Sequence, residues 1–176
     1  MADHLSYATS KPTGSTRAAS VLDSRIKAEG SVSWVKLLSA LQALSIVHRV
    51  GHWTSKGPEY YSDHLLFERL YNSVEEEVDK VAEKALGKGL PPQQLLPLTL
   101  SRTTSAFLRL DEVSRVGVSE AMHAELTFLS VLREVLGEVA ALALVDEVSW
   151  KGVDNLLAGI MDKHEEHVYL LQQRML

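Results

Sequence analysis

Apolar side chains recur at spacings of three and four between residues 66 and 85, which is the period of an α-helix. The stripe consists of Leu66, Leu70, Val74, Val78, Val81 and Ala85. This spacing places side chains on one face of a helix, whereas a half-buried strand would require strict alternation. We therefore predict a long amphipathic helix from about Ser62 to Leu86, which buries the stripe and exposes its opposite face.

The same period continues on both sides of this helix. A first helix should begin near Ser31 or Ser33, either of which could cap it, and end near Gly57-Pro58, because proline disfavours helix in the residue before it. Two more helices are predicted, one over 119–144 and one over 149–174. Prolines in the 90–98 segment predict an extended connection, followed by a short helix over 99–110.

This order of elements defines the predicted fold. Four long helices with a long crossover between the second and third are the plan of an all-α, ferritin-like four-helix bundle, here with a short helix in the crossover. Residues 31–176 should form this bundle. Residues 1–30 are rich in Ser, Thr and Ala and should be a flexible tail, with a short helical piece over 18–28.

Length and composition limit the classes of function. A chain of 176 residues suits one domain, and with no cysteine it has neither disulfides nor thiolate metal sites. A net charge of −5 argues against nucleic-acid binding over the whole surface and suits a surface that gathers cations. No signal peptide and no apolar run of membrane-spanning length is present, so we expect a cytoplasmic protein that does not enter membranes.

Two histidines and three acids form a candidate metal-binding set: His52, His64, Glu68, Asp79 and Glu83. Imidazole with carboxylate suits iron in a nitrogen and oxygen site. His64 and Glu68 are four residues apart on the predicted helix, as are Asp79 and Glu83, so each pair is adjacent on the helix surface. The alternative for any such pair is a solvated surface, and a histidine near a helix end is usually structural.

The two pairs cannot meet within one helix, because about 16 Å of helix separates Glu68 from Asp79 at about 1.5 Å per residue. They can meet if a second copy of the helix runs antiparallel across a two-fold axis. Asp79 and Glu83 of one chain would then face His64 and Glu68 of the other, with His52 coming from the end of the preceding helix. A two-fold interface would form two identical sites.

The motif resembles the ferroxidase signature of the Dps family, the mini-ferritins of starved bacteria. His52-Trp53, Gly57, His64 and the acids at 68, 79 and 83 fit each step of that pattern. The segments KGPEYY, HLLFERLY and VDKVAEK are also Dps-like, and DNLLAGIMDKHEEHVYLL resembles the last helix of the family. The resemblance therefore extends from about residue 31 to the end. Glu68 replaces a common Asp, and Lys84 replaces a common Arg.

The resemblance implies a hollow shell of twelve subunits that oxidises Fe(II), commonly with hydrogen peroxide, stores the ferric product and protects against oxidative stress. The sequence does not choose peroxide over dioxygen. The five residues above would bind iron at inter-subunit di-iron sites, with Glu83 as bridge. Trp53 would lie beside the iron and intercept oxidising equivalents; its alternative role is to fill the dimer interface. Acidic three-fold pores are implied near the connection between the last two helices, where Asp146, Glu147 and Asp154 lie. A solvated loop explains those acids equally well.

Some Dps proteins hold DNA with a lysine-rich tail, but here the basic residues of residues 1–30 are nearly balanced by acids. DNA binding is therefore weakly supported, and a DNA-protecting shell remains the alternative function. An ordinary ferritin with a centre inside each subunit is a second rival. Glu120 and His123 have the Glu-x-x-His spacing of such centres, but no second motif exists, so coincidence is favoured.

Three other histidines are open to two interpretations. His48 lies one turn before His52, where it could orient an iron ligand, although a buried, hydrogen-bonded histidine is the favoured interpretation. His164 and His167 on the last helix are more often packing residues than ligands.

Overall fold

The computed structural model describes residues 32–107 and 116–176. Within them the chain forms α1 (Trp34–Thr54), α2 (Tyr60–Gly87), a 3-10 turn (Pro92–Leu95), α3 (Pro97–Phe107), α4 (Val118–Ala143) and α5 (Glu147–Met175). No strand occurs in these two ranges, which confirms the all-α prediction. The predicted tail with its helical piece, and the last residues of the predicted crossover helix, lie outside the described residues.

Two helical hairpins make up the bundle. α1 packs against α2 across a five-residue connection, and α4 packs against α5 across a three-residue one. Connections this short join antiparallel neighbours. α1 also contacts α4, which joins the hairpins, and α3 in the crossover lies against α1. None of the described helices is long and apolar enough to cross a membrane.

The predicted stripe on α2 faces the core. Leu70, Val74, Val81 and Ala85 are fully buried, and Val78 packs partly buried against the same core. The helix ends as Gly87-Lys88-Gly89 predicts: Gly89 has φ +90°, and the amides of Gly89 and Leu90 donate to the carbonyls of Leu86 and Ala85. These two hydrogen bonds define a Schellman ending, which glycine permits without strain.

Ser33 occupies the position before α1 but does not cap the helix with its side chain. Its amide and hydroxyl instead donate to the two carboxylate oxygens of Glu138 on α4, at 2.7 and 2.8 Å. At its other end α1 ends at Thr54, earlier than the predicted Gly57. The reason is local, because both the amide and the hydroxyl of Ser55 donate to the Gly51 carbonyl and close the helix there.

Close packing of α1 on α2 depends on Gly51, the residue before His52. A Cβ added there would lie 2.6 Å from the ring of Phe67, which is buried. A Cβ that lies 2.6 Å from a buried ring should incur the upper part of the overpacking cost of about 1–3 kcal/mol, which exceeds the helix-propensity gain of about 1 kcal/mol. We predict that Gly51→Ala lowers the free energy of unfolding by up to about 2 kcal/mol. Urea unfolding at fixed protein concentration measures the change.

Gly159→Ala is the matched control for this prediction. Gly159 is also inside a helix, but nothing lies within 4 Å of a Cβ added there. Without a clash only the propensity term remains, so this variant should be more stable by about 0.5–1 kcal/mol. Equal stabilisation by both substitutions would show that α1 and α2 do not approach closely at Gly51.

Candidate functional site

His52 and His64, twelve residues apart, come together where α1 passes α2. Their rings stack with centroids 3.7 Å apart. His52 Nδ1 lies 3.0 Å from the carbonyl oxygen of His64, and His64 Nδ1 lies 3.1 Å from the carbonyl oxygen of His52. This reciprocal pair of hydrogen bonds fixes both rings relative to both helices.

The hydrogen bonds also assign the tautomers. A carbonyl oxygen only accepts, so each Nδ1 must carry the proton and donate it. In the neutral form of each ring Nε2 then keeps a lone pair, and no hydrogen bond between described residues uses either Nε2. Metal-binding histidines commonly show this arrangement, in which the second nitrogen donates to a carbonyl and orients the ring. Both rings are only half-buried, so the two lone pairs are open to a ligand from solvent.

The acids of α2 and its N-terminal flank fall into two groups. Five form ion pairs with described residues: Glu59, Asp63, Glu75, Glu76 and Glu77. The remaining three are Glu68, Asp79 and Glu83, and in the described part of the chain no cation pairs with them. They are the same three acids that the sequence predicts as iron ligands. Asp79 and Glu83 are like charges one turn apart, an arrangement that is destabilising unless a cation lies between them.

Exposed apolar groups share the α2 face that carries these acids. At 3.6 residues per turn, Tyr61, Leu65 and Leu86 lie within the same sector as Glu68 and Asp79. All three side chains are exposed, and Trp53 at the end of α1 is 69% exposed. Tyr61 and Leu65 lie at one end of the helix and Leu86 at the other. The subunit thus presents large apolar groups at both ends of its acidic face.

One chain therefore assembles only part of the predicted set. His64 and Glu68 are one turn apart near the start of α2. His52, at the end of α1, stacks on His64, so these three residues lie at the same end of the hairpin. Asp79 and Glu83 lie near the other end of the same helix and are exposed.

A second polar group lies inside the bundle. The carboxylate of Glu125 on α4 accepts three hydrogen bonds, from His48 Nε2 at 2.8 Å, His164 Nδ1 at 2.6 Å and His167 Nδ1 at 3.0 Å. None of these four side chains is more than 4% exposed. Of the two interpretations of His48, the structure agrees with a buried, hydrogen-bonded histidine and not with one that orients His52. Its hydrogen-bond partner is Glu125.

Glu77 extends this network to α2. Its Oε2 accepts from His164 Nε2 at 2.7 Å, and its Oε1 lies 3.6 Å from Lys163 Nζ. Because both nitrogens of His164 face carboxylates, both must carry protons. Two buried atoms of this network, Glu77 Oε1 and His48 Nδ1, have no hydrogen-bond partner among the described residues. The core network thus has more polar atoms than its own hydrogen bonds satisfy.

Burial opposes charge throughout this network, and hydrogen bonds determine which charges persist. Burial raises the pKa of Glu125, but hydrogen bonds from His164, His167 and His48 hold it well below its usual range. Burial lowers the pKa of His164, but hydrogen bonds to Glu125 and Glu77 raise it to about 9. For His48 burial dominates and lowers the pKa, so this imidazole is neutral. An imidazolium therefore lies between two carboxylates in the bundle core.

Sequence reasoning did not find Glu77 and Glu125, although a signal for both is present. Glu77 lies between Val74 and Val81 on the buried stripe of α2, and Glu125 lies between Ala121 and Phe128 on that of α4. A single acid inside an apolar stripe is rarely left in a core without partners. Acids in two facing stripes, together with histidines on the stripes of α1 and α5, indicate a buried network.

The Glu-x-x-His spacing on α4 has a structural explanation. Glu120 Oε2 accepts a hydrogen bond from the Gly117 amide at 2.9 Å and so caps the helix, while His123 is exposed. Two of the three pore-candidate acids have local roles in the subunit as well. Asp146 caps α5 by accepting from the Ser149 amide, and Asp154 lies 3.8 Å from Lys151.

Sequence comparison finds relatives whose names refer to nutrient stress and starvation. No family model matches it. A nutrient stress-induced DNA-binding protein of Synechococcus is 32% identical over 136 residues, which cover 76% of this chain and 73% of the relative. DNA protection during starvation protein 2 of Bacillus anthracis is 25% identical over 125 residues, covering 69% of this chain and 79% of the relative.

Solved structures agree with the fold. Dps from Thermosynechococcus elongatus gives a TM-score of 0.66 at 17% identity and covers 90% of this chain and 95% of its own. Dps from Vibrio cholerae O1, described as one of the ferritin-like diiron-carboxylate proteins, gives a TM-score of 0.60 at 21% identity. The match covers 81% of this chain and 86% of the V. cholerae chain. The protein is therefore a ferritin-like four-helix bundle. Within that class, the identity to the Synechococcus relative shows that the chain belongs to the Dps family.

Proposed function

We propose that this protein is a ferroxidase that oxidises Fe(II) and stores the ferric product inside a shell of its own subunits. The observation that carries the proposal is the pairing pattern on α2. Glu68, Asp79 and Glu83 lack ion-pair partners in the described residues, whereas their neighbours are paired. His52 and His64 present two oriented imidazole nitrogens on the same side of the hairpin.

The proposed site is completed by a second subunit. An antiparallel α2 across a two-fold axis would bring Asp79 and Glu83 of the partner to His52, His64 and Glu68. The same arrangement places the Tyr61 and Leu65 end of one helix against the Leu86 end of the other, which buries exposed apolar surface. Each two-fold interface would then contain two equivalent sites.

Each group has a defined task toward Fe(II), which is the substrate. The carboxylates offset the charge of the incoming cations, and Glu83 is the proposed bridge between two of them. The imidazoles bind through Nε2, with orientation fixed by the backbone carbonyls that accept from Nδ1. Oxygen and nitrogen ligands of this kind suit iron in either oxidation state. Oxidation of two Fe(II) supplies the two electrons that reduce one hydrogen peroxide, the proposed oxidant.

Trp53 is proposed to intercept oxidising equivalents beside the site. It directly follows His52 and is mostly exposed in the subunit, as a residue at a subunit interface would be. Trp53→Phe should bind Fe(II) with unchanged stoichiometry but allow more oxidative damage to the protein during turnover, which mass spectrometry of the shell can measure. Unchanged damage would leave Trp53 a packing residue only.

The proposed assembly is a dodecameric shell in the cytoplasm that protects against oxidative stress. Entry of Fe(II) through acidic three-fold pores near Asp146, Glu147 and Asp154 belongs to the same proposal. Light scattering gives the subunit number directly. A discrete twelve-subunit species is expected, and a monomer or a shell of another size would contradict it.

The proposed function predicts that Glu83→Gln and His52→Gln each slow peroxide-driven Fe(II) oxidation. Loss of a residue that only orients a metal ligand reduces metal affinity or activity by roughly 10- to 100-fold. Loss of a proposed ligand itself should slow oxidation by at least as much. Oxidation is followed by absorbance of the ferric product, with soluble protein-bound iron as the second readout. Glu83→Gln removes a charge at nearly constant volume, so the interface should persist.

Glu76→Gln is the matched control, seven residues earlier on the same helix. Glu76 is exposed and pairs with Lys80, so it is outside the proposed ligand set. This variant should oxidise iron at the unsubstituted rate. Equal rates in all three variants would assign the α2 acids to surface and interface chemistry.

A DNA-protecting shell is the second candidate, favoured by the names of the two relatives above. Gel shifts over a range of salt concentrations distinguish the candidates, because phosphate contacts make affinity fall steeply with salt. With a net charge of −5 we expect weak binding at most. Tight, strongly salt-dependent binding would make DNA protection the leading function.

A further inference from the structure

The buried network between α1, α2, α4 and α5 has the composition of a metal site. It holds three imidazoles and two carboxylates: His48, Glu77, Glu125, His164 and His167. A ligand atom from each of Glu125, His164 and His167 lies within 4.8 Å of the other two. These residues belong to the bundle core of a single subunit, whereas the proposed ferroxidase residues lie on its outer face.

Distances in the network are close to those around one cation. Donor atoms bound to a single ion at about 2.1 Å are about 3.0–3.4 Å apart. Around Glu125 the nitrogen-to-oxygen separations are 2.6, 2.8 and 3.0 Å, and the ligand atoms of Glu125, His164 and His167 lie within 4.8 Å of one another, so an ion would require shifts of these side chains but no new neighbours. A cation would take the place of protons that these groups now share, which is the usual relation between metal binding and protonation.

Two buried atoms show that hydrogen bonding alone does not complete the network. Glu77 Oε1 and His48 Nδ1 have no hydrogen-bond partner within the described residues. Lys163 Nζ lies 3.6 Å from Glu77 Oε1, and its side chain is 44% exposed. This partly exposed lysine therefore connects the network to the surface.

Stability alone does not explain five ionisable groups at this place. Well-packed apolar side chains often give equal or higher stability than a buried ionic network. The charge count favours a mononuclear site, because two carboxylates balance one divalent cation, whereas two cations would leave an uncompensated charge in a dry core.

We propose that each subunit contains a second metal site in its bundle core, formed by Glu125, His164 and His167 with Glu77 and His48 beside them, which takes one first-row divalent cation such as Zn²⁺ or Fe²⁺. Mixed imidazole and carboxylate ligands suit these ions. The site is independent of the two-fold interface and does not require the proposed ferroxidase activity.

Cobalt binding to the assembled full-length protein tests this site. The background is the double variant His52→Gln and Glu83→Gln, which disables the proposed interface site. Titration with Co²⁺ should give one tightly bound ion per subunit, and X-ray absorption should show at least two imidazoles on it. Adding His167→Gln or Glu125→Gln should weaken binding at least tenfold.

His123→Gln in the same background is the matched control, because His123 is an exposed histidine on α4, outside the network. It should leave Co²⁺ binding unchanged. The proposal is overturned if the background protein binds no Co²⁺, if the bound ion has no imidazole ligand, or if His167→Gln and Glu125→Gln bind as well as the control. The first two readouts do not depend on whether a core variant folds. Iron oxidation that is insensitive to His52 and Glu83 would contradict the ferroxidase proposal without affecting this one.

Discussion

Assemblies that mix His52→Gln chains with Glu83→Gln chains should recover ferroxidase activity that neither variant has alone. In the proposed interface, one site takes His52 from the first chain and Glu83 from the second, and its mate takes the reverse. A mixed pair therefore concentrates both defects in one site and leaves the other intact. With random pairing, half of the pairs are mixed, so about a quarter of all sites should be intact.

The measurement is the initial rate of Fe(II) oxidation by hydrogen peroxide after the two variants are dissociated, mixed and reassembled. The expected rate is about a quarter of the unsubstituted rate, well above either parent. If all five ligands acted within one chain, every site would carry one defect and mixing would change nothing.

A second mixture serves as the control for reassembly itself. His52→Gln chains are mixed with chains carrying both His52→Gln and Glu83→Gln. No pairing of these chains supplies an intact His52, so activity must stay at the parental level. Recovery in this control would mean that oxidation does not use the proposed site.

The helices were predictable because burial imposes a period on the sequence. α2 was predicted over 62–86 and spans Tyr60–Gly87, since the apolar stripe and the Gly87-Lys88-Gly89 ending both leave clear signals. The end of α1 was predicted late, because the hydrogen bonds from Ser55 to Gly51 depend on one local side chain. The 3-10 turn over Pro92–Leu95 was likewise expected to be extended.

The sequence reveals the candidate iron-binding residues on the outer face more fully than it reveals the buried network in the bundle core. His52 and His64 were predicted to share one site because both belong to the metal-binding motif. The short connection between the antiparallel helices α1 and α2 brings them into contact. The hydrogen bond that each ring donates to the backbone carbonyl of the other residue cannot be predicted from the sequence. The core network was missed because Glu77 and Glu125 each resemble a solvated acid when one helix is considered alone. Only the packing of four helices shows that the acids and histidines share one interior.

Replacing Glu125 with alanine should produce the largest loss of stability of any substitution considered for this subunit. The change leaves three buried imidazoles without their common acceptor and the His164 imidazolium with only Glu77 as counter-ion. Removing one partner of a buried ionic network costs about 3–5 kcal/mol. Urea unfolding in the presence of a chelator measures this change, so that no bound metal contributes.

Glu134→Ala on the same helix is the control for Glu125→Ala. It distinguishes the stability lost with the buried network from the stability lost when any acid on α4 is removed. Glu134 is exposed and pairs with Lys36, and an exposed pair contributes about 0–1 kcal/mol. Because unfolding of a shell is coupled to dissociation, both variants must be compared at one protein concentration. If Glu125→Ala cost no more than Glu134→Ala, the histidines would have to find other acceptors, and the network would be neither a structural element nor a preformed ligand set. A cost of several kcal/mol with intact assembly would instead show that the buried imidazoles depend on Glu125 as their common acceptor.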